Sequence, residues 1–194
     1  IITGEIFDRM ALDIVEKMKQ QVTKLKAIPQ IPSDKEAAVY VELIAERDTD
    51  AEEMLLEILE MFGQFGNEED TMAASSQDEM EKFRLFRHAV PEGINQCVDK
   101  LRQKNPEFHK MGIDFACPQK GLMTLIKDYQ RDLEEEKIPA VIFGHALDCH
   151  LHVNLLPDTR DAFMKAKTLL LHWADEIASC GGCLAEENGI GKLK

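Results

Sequence analysis

A nine-residue segment, GHALDCHLH at positions 144–152, contains three histidines and an aspartate. PAVIFG leads into it and LLP follows Asn154, so residues typical of buried strands lie on both sides of the polar cluster. Neutral imidazoles are common ligands of divalent transition-metal ions. The segment is therefore a candidate metal site at the end of a hairpin.

A two-residue turn at positions 148–149 would join the two flanking strands into an antiparallel hairpin. This turn places His145 directly opposite His152, with Cβ atoms ~5 Å apart. Because side chains alternate along a strand, His150 and Asn154 lie on the same face as this pair. We therefore predict that four polar side chains converge on one face and that the intervening residues point into a core: Leu151, Val153 and Leu155.

A simpler explanation applies to each histidine alone. A histidine in a strand is more often hydrogen-bonded or half exposed than bound to metal, and one face of an antiparallel sheet commonly meets water. The apolar flanks favour an interior site for the group.

Two imidazoles also need a carboxylate or water to complete a metal's shell. Glu187, beside the flexible Gly189 and Gly191, is the candidate, with Glu186 as the alternative.

Hydrophobic spacing and turn residues predict alternating helices and strands. A Ser76–Glu79 capping box opens a long helix that Pro91 kinks or interrupts. The predicted helices are 5–26, 50–65, the helix after Ser76, 121–137 and 158–179, and the predicted strands are 37–46, 71–75, 111–118 and the hairpin. This order predicts the α+β class: an antiparallel sheet with helices packed on one face, as an elaborated ferredoxin-like plait.

Composition excludes several classes of function. The 194 residues carry a formal net charge of −13, which disfavours nucleic acid and anionic membranes as partners. The sequence contains no run of 18 apolar residues, so we predict no transmembrane segment. Five cysteines, mostly in apolar stretches, suit reduced thiols in a cytoplasmic protein. The opening IITGEIFDRM does not begin with Met and has no signal-peptide pattern, so we expect a piece of a longer protein.

At two motifs the sequence resembles a known family. FGHALDCHLHVNLLP, followed by GGCLAEENGIGKLK, is similar to the C-terminal region of FAD-linked oxidases that act on 2-hydroxy acids, of the D-lactate dehydrogenase, glycolate oxidase flavoprotein subunit and D-2-hydroxyglutarate dehydrogenase type. The family patterns are GHxGDGNLHxN and EHGIG before a lysine. FRHAVPEGIN and IDFACP extend the resemblance over most of the chain.

The resemblance implies roles for individual residues. His145, His152 and Glu187 match the metal ligands of metal-dependent members, for which Zn or Mn is expected. Asn154 matches a polar residue beside the substrate. Arg87 matches the arginine that pairs with the substrate carboxylate, for which its planar donors are suited. Gly112 stands where the family often has an assisting lysine, and Lys110 is the nearby substitute.

Two positions depart from the family pattern. His150 stands where the family has Asn, and Asn188 stands where it has the histidine that follows the metal-binding glutamate. We therefore expect His150, together with Asn188, to border the pocket, with His150 as the proton acceptor. The alternatives are that activity has been lost or that another base is used.

The resemblance implies oxidation of a small 2-hydroxy acid by hydride transfer to FAD. In the family the flavin-binding domain precedes this region, so we predict that residues 1–34 are a helix and linker from that missing domain. Residues 35–194 would form the substrate domain, incomplete at its C-terminus, and alone it should be colourless and inactive. The competing interpretations are a non-catalytic metal-binding α+β module and a redox or zinc CxxC at Cys180–Cys183.

Overall fold

The computed structural model describes residues 2–64, 70–118 and 121–187. Its helices and strands alternate along the chain. In order they are β1 Thr3–Asp8, α1 Arg9–Gln21, β2 Ala37–Glu42, α2 Asp48–Gly63, α3 Gln77–Lys104, β3 Met111–Ala116, α4 Leu122–Glu136, β4 Ala140–His145, β5 His150–Leu155 and α5 Arg160–Ser179.

The five strands form one sheet in the order β2-β1-β4-β5-β3, and every neighbouring pair is antiparallel. The run β3-α4-β4-β5-α5 is followed by an antiparallel bridge between Cys183 and Ala116 at the free edge of β3. This is the order of a ferredoxin-like plait, in which the fourth strand pairs with the first. The predicted α+β class with an antiparallel sheet is confirmed.

Two apolar cores lie on opposite faces of this sheet, because successive side chains of β4 alternate between them. Ile142 packs with Trp173 of α5 in a core that also includes α4, whereas Val141 packs with Leu12 of α1 and Val90 of α3. The two helices of the plait, α4 and α5, thus share one face of the sheet, as predicted. Helices α1 and α3 cover the other face, so the complete sheet has helices on both faces, not on one.

The first strand departs from the prediction of a helix over residues 5–26. Residues 3–8 are extended and pair with both β2 and β4. Asp8 ends the strand and begins α1, because its Oδ1 accepts a hydrogen bond from the Ala11 N–H (2.8 Å) and its Oδ2 accepts one from the Ile142 N–H (2.8 Å). β1 therefore lies inside the sheet, between β2 and β4.

Other elements follow the predictions with local differences. The Ser76–Glu79 capping box is present, and α3 continues through Pro91 without interruption. Helix α2 begins at Asp48, after Arg47, and not at the predicted Asp50. The segment 71–75 is not a strand. Within the described part of the chain, no helix combines the length and apolar character that crossing a membrane requires.

The β4–β5 connection is longer than the predicted two-residue turn. A 3-10 turn at Ala146–Asp148 and Cys149, which has a positive φ of 54°, join the strands. His145 therefore pairs with His150, and His152 pairs with Phe143, so the predicted pairing of His145 with His152 is wrong by two residues. Because the shift is an even number, each side chain keeps its predicted face.

Gly144 permits the close strand contact next to this connection. Its φ is 153°, and a Cβ there would lie 2.4 Å from the carbonyl oxygen of His150. We expect Gly144→Ala to lower the free energy of unfolding by about 1–3 kcal/mol through overpacking, with backbone strain in addition. Urea unfolding measures this loss. Gly63→Ala is the matched control, since a Cβ at Gly63 would have no described atom within 4 Å apart from its chain neighbours and its own helix backbone; an equal loss there would contradict the explanation.

Asp8 predicts a pH dependence of stability. Burial raises the pKa of its carboxyl from 3.8 to about 6, so the folded chain holds this proton more tightly than the unfolded chain. Its contribution to stability is therefore largest below the unfolded pKa and is lost as the pH rises through the folded pKa. Asp8→Asn removes the titration, so the stability of wild type relative to this variant should fall by about 2–3 kcal/mol between about pH 4 and pH 7. A pH-independent difference in urea unfolding would contradict this prediction.

Candidate metal centre

Strand pairing places the polar residues in neighbouring rows across the sheet. Glu5 pairs with His145, which pairs with His150. In the next row on the same face, His152 pairs with Asp114 of β3. Residues in one row, or two positions apart on one strand, lie side by side on the same face, so side chains from β1, β3, β4 and β5 meet there.

Three histidines and one carboxylate converge at this place. One ring nitrogen each of His145, His150 and His152 and one carboxylate oxygen of Glu187 all lie within 4.8 Å of one another. His145 Nε2 is 2.9 Å from Glu187 Oε1, and His152 Nε2 is 3.5 Å from Glu187 Oε2. The predicted ligands His145, His152 and Glu187 are therefore brought together, and the imidazole and carboxylate donors are those that divalent transition-metal ions prefer.

A second carboxylate lies behind each of the two predicted histidine ligands. His145 Nδ1 is 3.3 Å from Glu5 Oε1, and His152 Nδ1 is 3.4 Å from Asp114 Oδ1. A carboxylate at one ring nitrogen favours the N–H tautomer there and leaves the lone pair on the other nitrogen. In both residues that other nitrogen, Nε2, faces Glu187. The arrangement of donors thus fits a cation bound between the two rings and Glu187.

Glu187 reaches the histidines because its segment runs beside β3. Cys183 and Ala116 exchange two backbone hydrogen bonds of 2.8 and 3.0 Å. Further along, the Glu186 N–H donates to the Asp114 carbonyl oxygen (3.2 Å), and the Glu187 N–H donates to Asp114 Oδ2 (3.1 Å). The edge of β3 and one buried carboxylate therefore position the ligand-bearing residue.

Asp114 is the common partner of these groups. It is 1% exposed, and its Oδ1 forms a short contact with His150 Nε2 in addition to its contact with His152. His150 is likewise 1% exposed. A buried carboxylate of this kind is stabilised by the donors around it and fixes their orientation in return.

Burial also keeps one ligand candidate in its metal-binding form. Removal from water, with a smaller effect from the neighbouring His150 ring, lowers the pKa of His152 from 6.5 to about 4. At neutral pH the His152 imidazole is therefore uncharged, with a lone pair available to a cation.

Arg87 of α3 joins this cluster indirectly. Its Nε donates to Glu5 Oε2 at 3.0 Å, and its Nη2 forms a short ion pair with Glu5 Oε1. The ring of Tyr40 lies beneath the guanidinium, 5.1 Å from Cζ. The hydrogen bond to Glu5 raises the pKa of Arg87 above its ordinary value, so the guanidinium stays charged and neutralises a carboxylate that is 5% exposed.

The other predicted site residues have different positions. Asn154 is buried on the cluster's face, opposite Gly112, and a Cβ at Gly112 would lie 2.9 Å from Asn154 Oδ1. Lys110 lies four residues before Asp114, or roughly 13 Å along an extended strand, and its Nζ donates to Asn95 Oδ1 at 3.4 Å. This contact ties the Lys110 side chain to α3. Asn188 lies outside the described residues.

Sequence reasoning gave no role to Glu5 or Asp114. Asp114 is the single acidic residue of an apolar strand, a pattern that indicates a specific buried partner, and this signal could have identified it; Glu5 shares its strand with Asp8 and gives a weaker signal. The CxxC interpretation gains no support from the described cluster, whose donors include no cysteine. Cys180 and Cys183 are free and exposed.

The fold and the cluster define an α+β domain with a histidine–carboxylate site suited to a divalent cation. The model of the family described as FAD linked oxidases, C-terminal domain, matches residues 1–194. The chain therefore belongs to this family. A comparison with curated proteins gives no significant match.

Asp114 gives a direct test of the buried network. Asp114→Asn replaces a buried carboxylate that contacts two histidines and the Glu187 N–H, and a hydrogen bond to a charged group contributes about 1.5–3 kcal/mol. We expect a loss of this size in urea unfolding. Asp99→Asn is the control, because Asp99 forms an exposed pair with Arg102 and should change stability by less than about 1 kcal/mol. Equal effects of the two variants would contradict the assignment.

Proposed function

We propose that this chain is the substrate domain of a flavoprotein oxidoreductase that oxidises a small 2-hydroxy acid such as D-lactate or glycolate. Family membership supports the oxidoreductase class and implies FAD in the full protein, together with an N-terminal FAD-binding domain. The observation that carries the finer proposal is the convergence of His145 Nε2 and His152 Nε2 on the carboxylate of Glu187.

His145, His152 and Glu187 would hold a divalent cation such as Zn²⁺ or Mn²⁺ at the substrate hydroxyl. A cation held there would supply the Lewis-acid chemistry that lowers the pKa of a substrate hydroxyl, and the flavin of the full protein would supply the acceptor for the hydrogen of Cα. The two electrons and the Cα hydrogen leave as a hydride, the hydroxyl proton passes to a base, and the product is the 2-oxo acid. Glu5 and Asp114 hold the two histidine rings in position for this chemistry.

Asn154 and Arg87 would orient the substrate. Asn154 lies beside His152 on the same face of β5. Arg87 already donates two hydrogen bonds to Glu5, while its Nη1 lies 4.0 Å from Glu42 Oε2. The N–H groups of Nη1 are the donors through which Arg87 would bind a substrate carboxylate. The role of Lys110 in substrate binding stays a prediction.

Proton acceptance by His150, with Asn188 nearby, also stays a prediction. His150 pairs with buried Asp114, and this contact fixes the orientation of its ring. Its 1% exposure restricts direct access by a substrate.

A non-catalytic metal-binding module is the second candidate function. The engagement of Arg87 with Glu5 favours it, because the two donors best placed for a bidentate substrate carboxylate are already used inside the domain. Such a module would bind the cation without any reaction at a flavin.

Anaerobic reduction of the flavin in the full protein tests these alternatives. We expect D-lactate or glycolate to bleach the oxidised flavin absorbance, and Glu187→Gln to slow bleaching by about 100-fold or more, because misplacement of reacting groups costs about that factor. His172→Asn is the matched control, since His172 lies exposed on α5 and faces Glu176. Zinc binding without bleaching by any 2-hydroxy acid would overturn the oxidase proposal in favour of the module.

A further inference from the structure

His150 is one of the positions at which this chain departs from the family pattern. His150 pairs directly with His145 across the β4–β5 hairpin, and their ring centroids lie 5.5 Å apart. The ring centroids of His150 and His152 lie 4.5 Å apart. The third imidazole therefore borders both of the other two.

We propose that His150 is a fourth protein ligand, which makes the site a three-histidine, one-carboxylate centre. This inference rests on the proposed metal site and specifies its composition. A ring nitrogen of His150 lies within 4.8 Å of the donor atoms of His145, His152 and Glu187. Donor atoms about 2 Å from one cation lie roughly 3–4 Å from each other in a tetrahedral site, so only a small contraction would bring all four into contact with it.

The environment of His150 suits a ligand more than a base. The ring is buried with the Asp114 carboxylate at Nε2, which is the usual second partner of a metal-bound imidazole. In the neutral ring with its proton directed to Asp114, the lone pair is on the other nitrogen. A ring that binds Asp114 on one side and a cation on the other keeps no lone pair for a substrate proton.

The fourth ligand changes what the centre can do. Four protein donors complete a tetrahedral shell, whereas catalytic zinc sites usually keep one position for water or substrate. A substrate hydroxyl would then have to enter as a fifth ligand. Three imidazoles also favour Zn²⁺ and its neighbours in the first transition series over Mn²⁺. The centre is therefore expected to be tighter and more selective than one with two imidazoles.

X-ray absorption of the zinc-loaded protein counts the imidazoles without any substitution. We expect the outer-shell scattering of three imidazole rings in the wild-type protein and of two in His150→Asn. Two rings in the wild type would overturn the proposal. Because this measurement is made on the unmodified protein, it remains decisive even if the variant does not fold.

Competition titrations with a zinc chelator give the energetic test. Loss of an outer partner of a metal ligand costs 10- to 100-fold in affinity, so His150→Asn should lower the zinc affinity by at least about 100-fold. His172→Asn should leave it unchanged, since His172 is exposed on the opposite face of the sheet. Unchanged affinity in His150→Asn would contradict the proposal.

Variants of the other ligands separate this proposal from the proposed function. If His145→Asn and Glu187→Gln both leave zinc binding intact, the metal site itself is wrong and both proposals fail. If these variants abolish binding while His150→Asn binds zinc as the wild type does, only the fourth-ligand proposal fails.

Discussion

The pairing of His145 with His150 across the β4–β5 hairpin is the constraint on which the site depends. An antiparallel ladder fixes which side chains stand beside each other, and a shift by a single residue would turn the imidazoles into the opposite core. The longer connection and Gly144, where a side chain would meet the β5 backbone, hold this register. The chemistry of the domain is thus a consequence of strand alignment.

Buried acids convert that alignment into a defined centre. Glu5 lies at Nδ1 of His145, and Asp114 lies at Nδ1 of His152. In each ring this nitrogen is the one that does not face Glu187, so the carboxylate sets the tautomer of the ring as well as its orientation. Arg87 neutralises Glu5 from a helix on the same face of the sheet. Asp114 also holds the backbone of Glu187. Ligand, outer carboxylate and backbone therefore form one connected polar network inside an apolar fold.

The sequence predicts those features of the site that depend on neighbouring residues, and it does not predict those that depend on distant ones. Alternation along a strand is local, so the shared face of His145, His150, His152 and Asn154 could be predicted even though the turn length was wrong. The turn itself depends on a positive φ at Cys149, which its side chain does not indicate. The strand at residues 3–8 depends on pairing with β4 and on Asp8 binding the distant Ile142, so the helical spacing of its apolar residues was misleading. The roles of Glu5 and Asp114 likewise depend on partners that strand pairing brings near.

The bridge between Cys183 and Ala116 has a consequence for how the molecule folds. Glu5 and Glu187 lie near opposite ends of the described chain, yet both contact the ring of His145. Contacts between such distant residues close large loops and tend to form late. The core between the sheet and helices α4 and α5 can therefore assemble before Glu187 joins the ligand set. Binding of a cation would then favour the fully closed state over partly opened ones, and exchange of the amide hydrogens of residues 183–187 would report that closure.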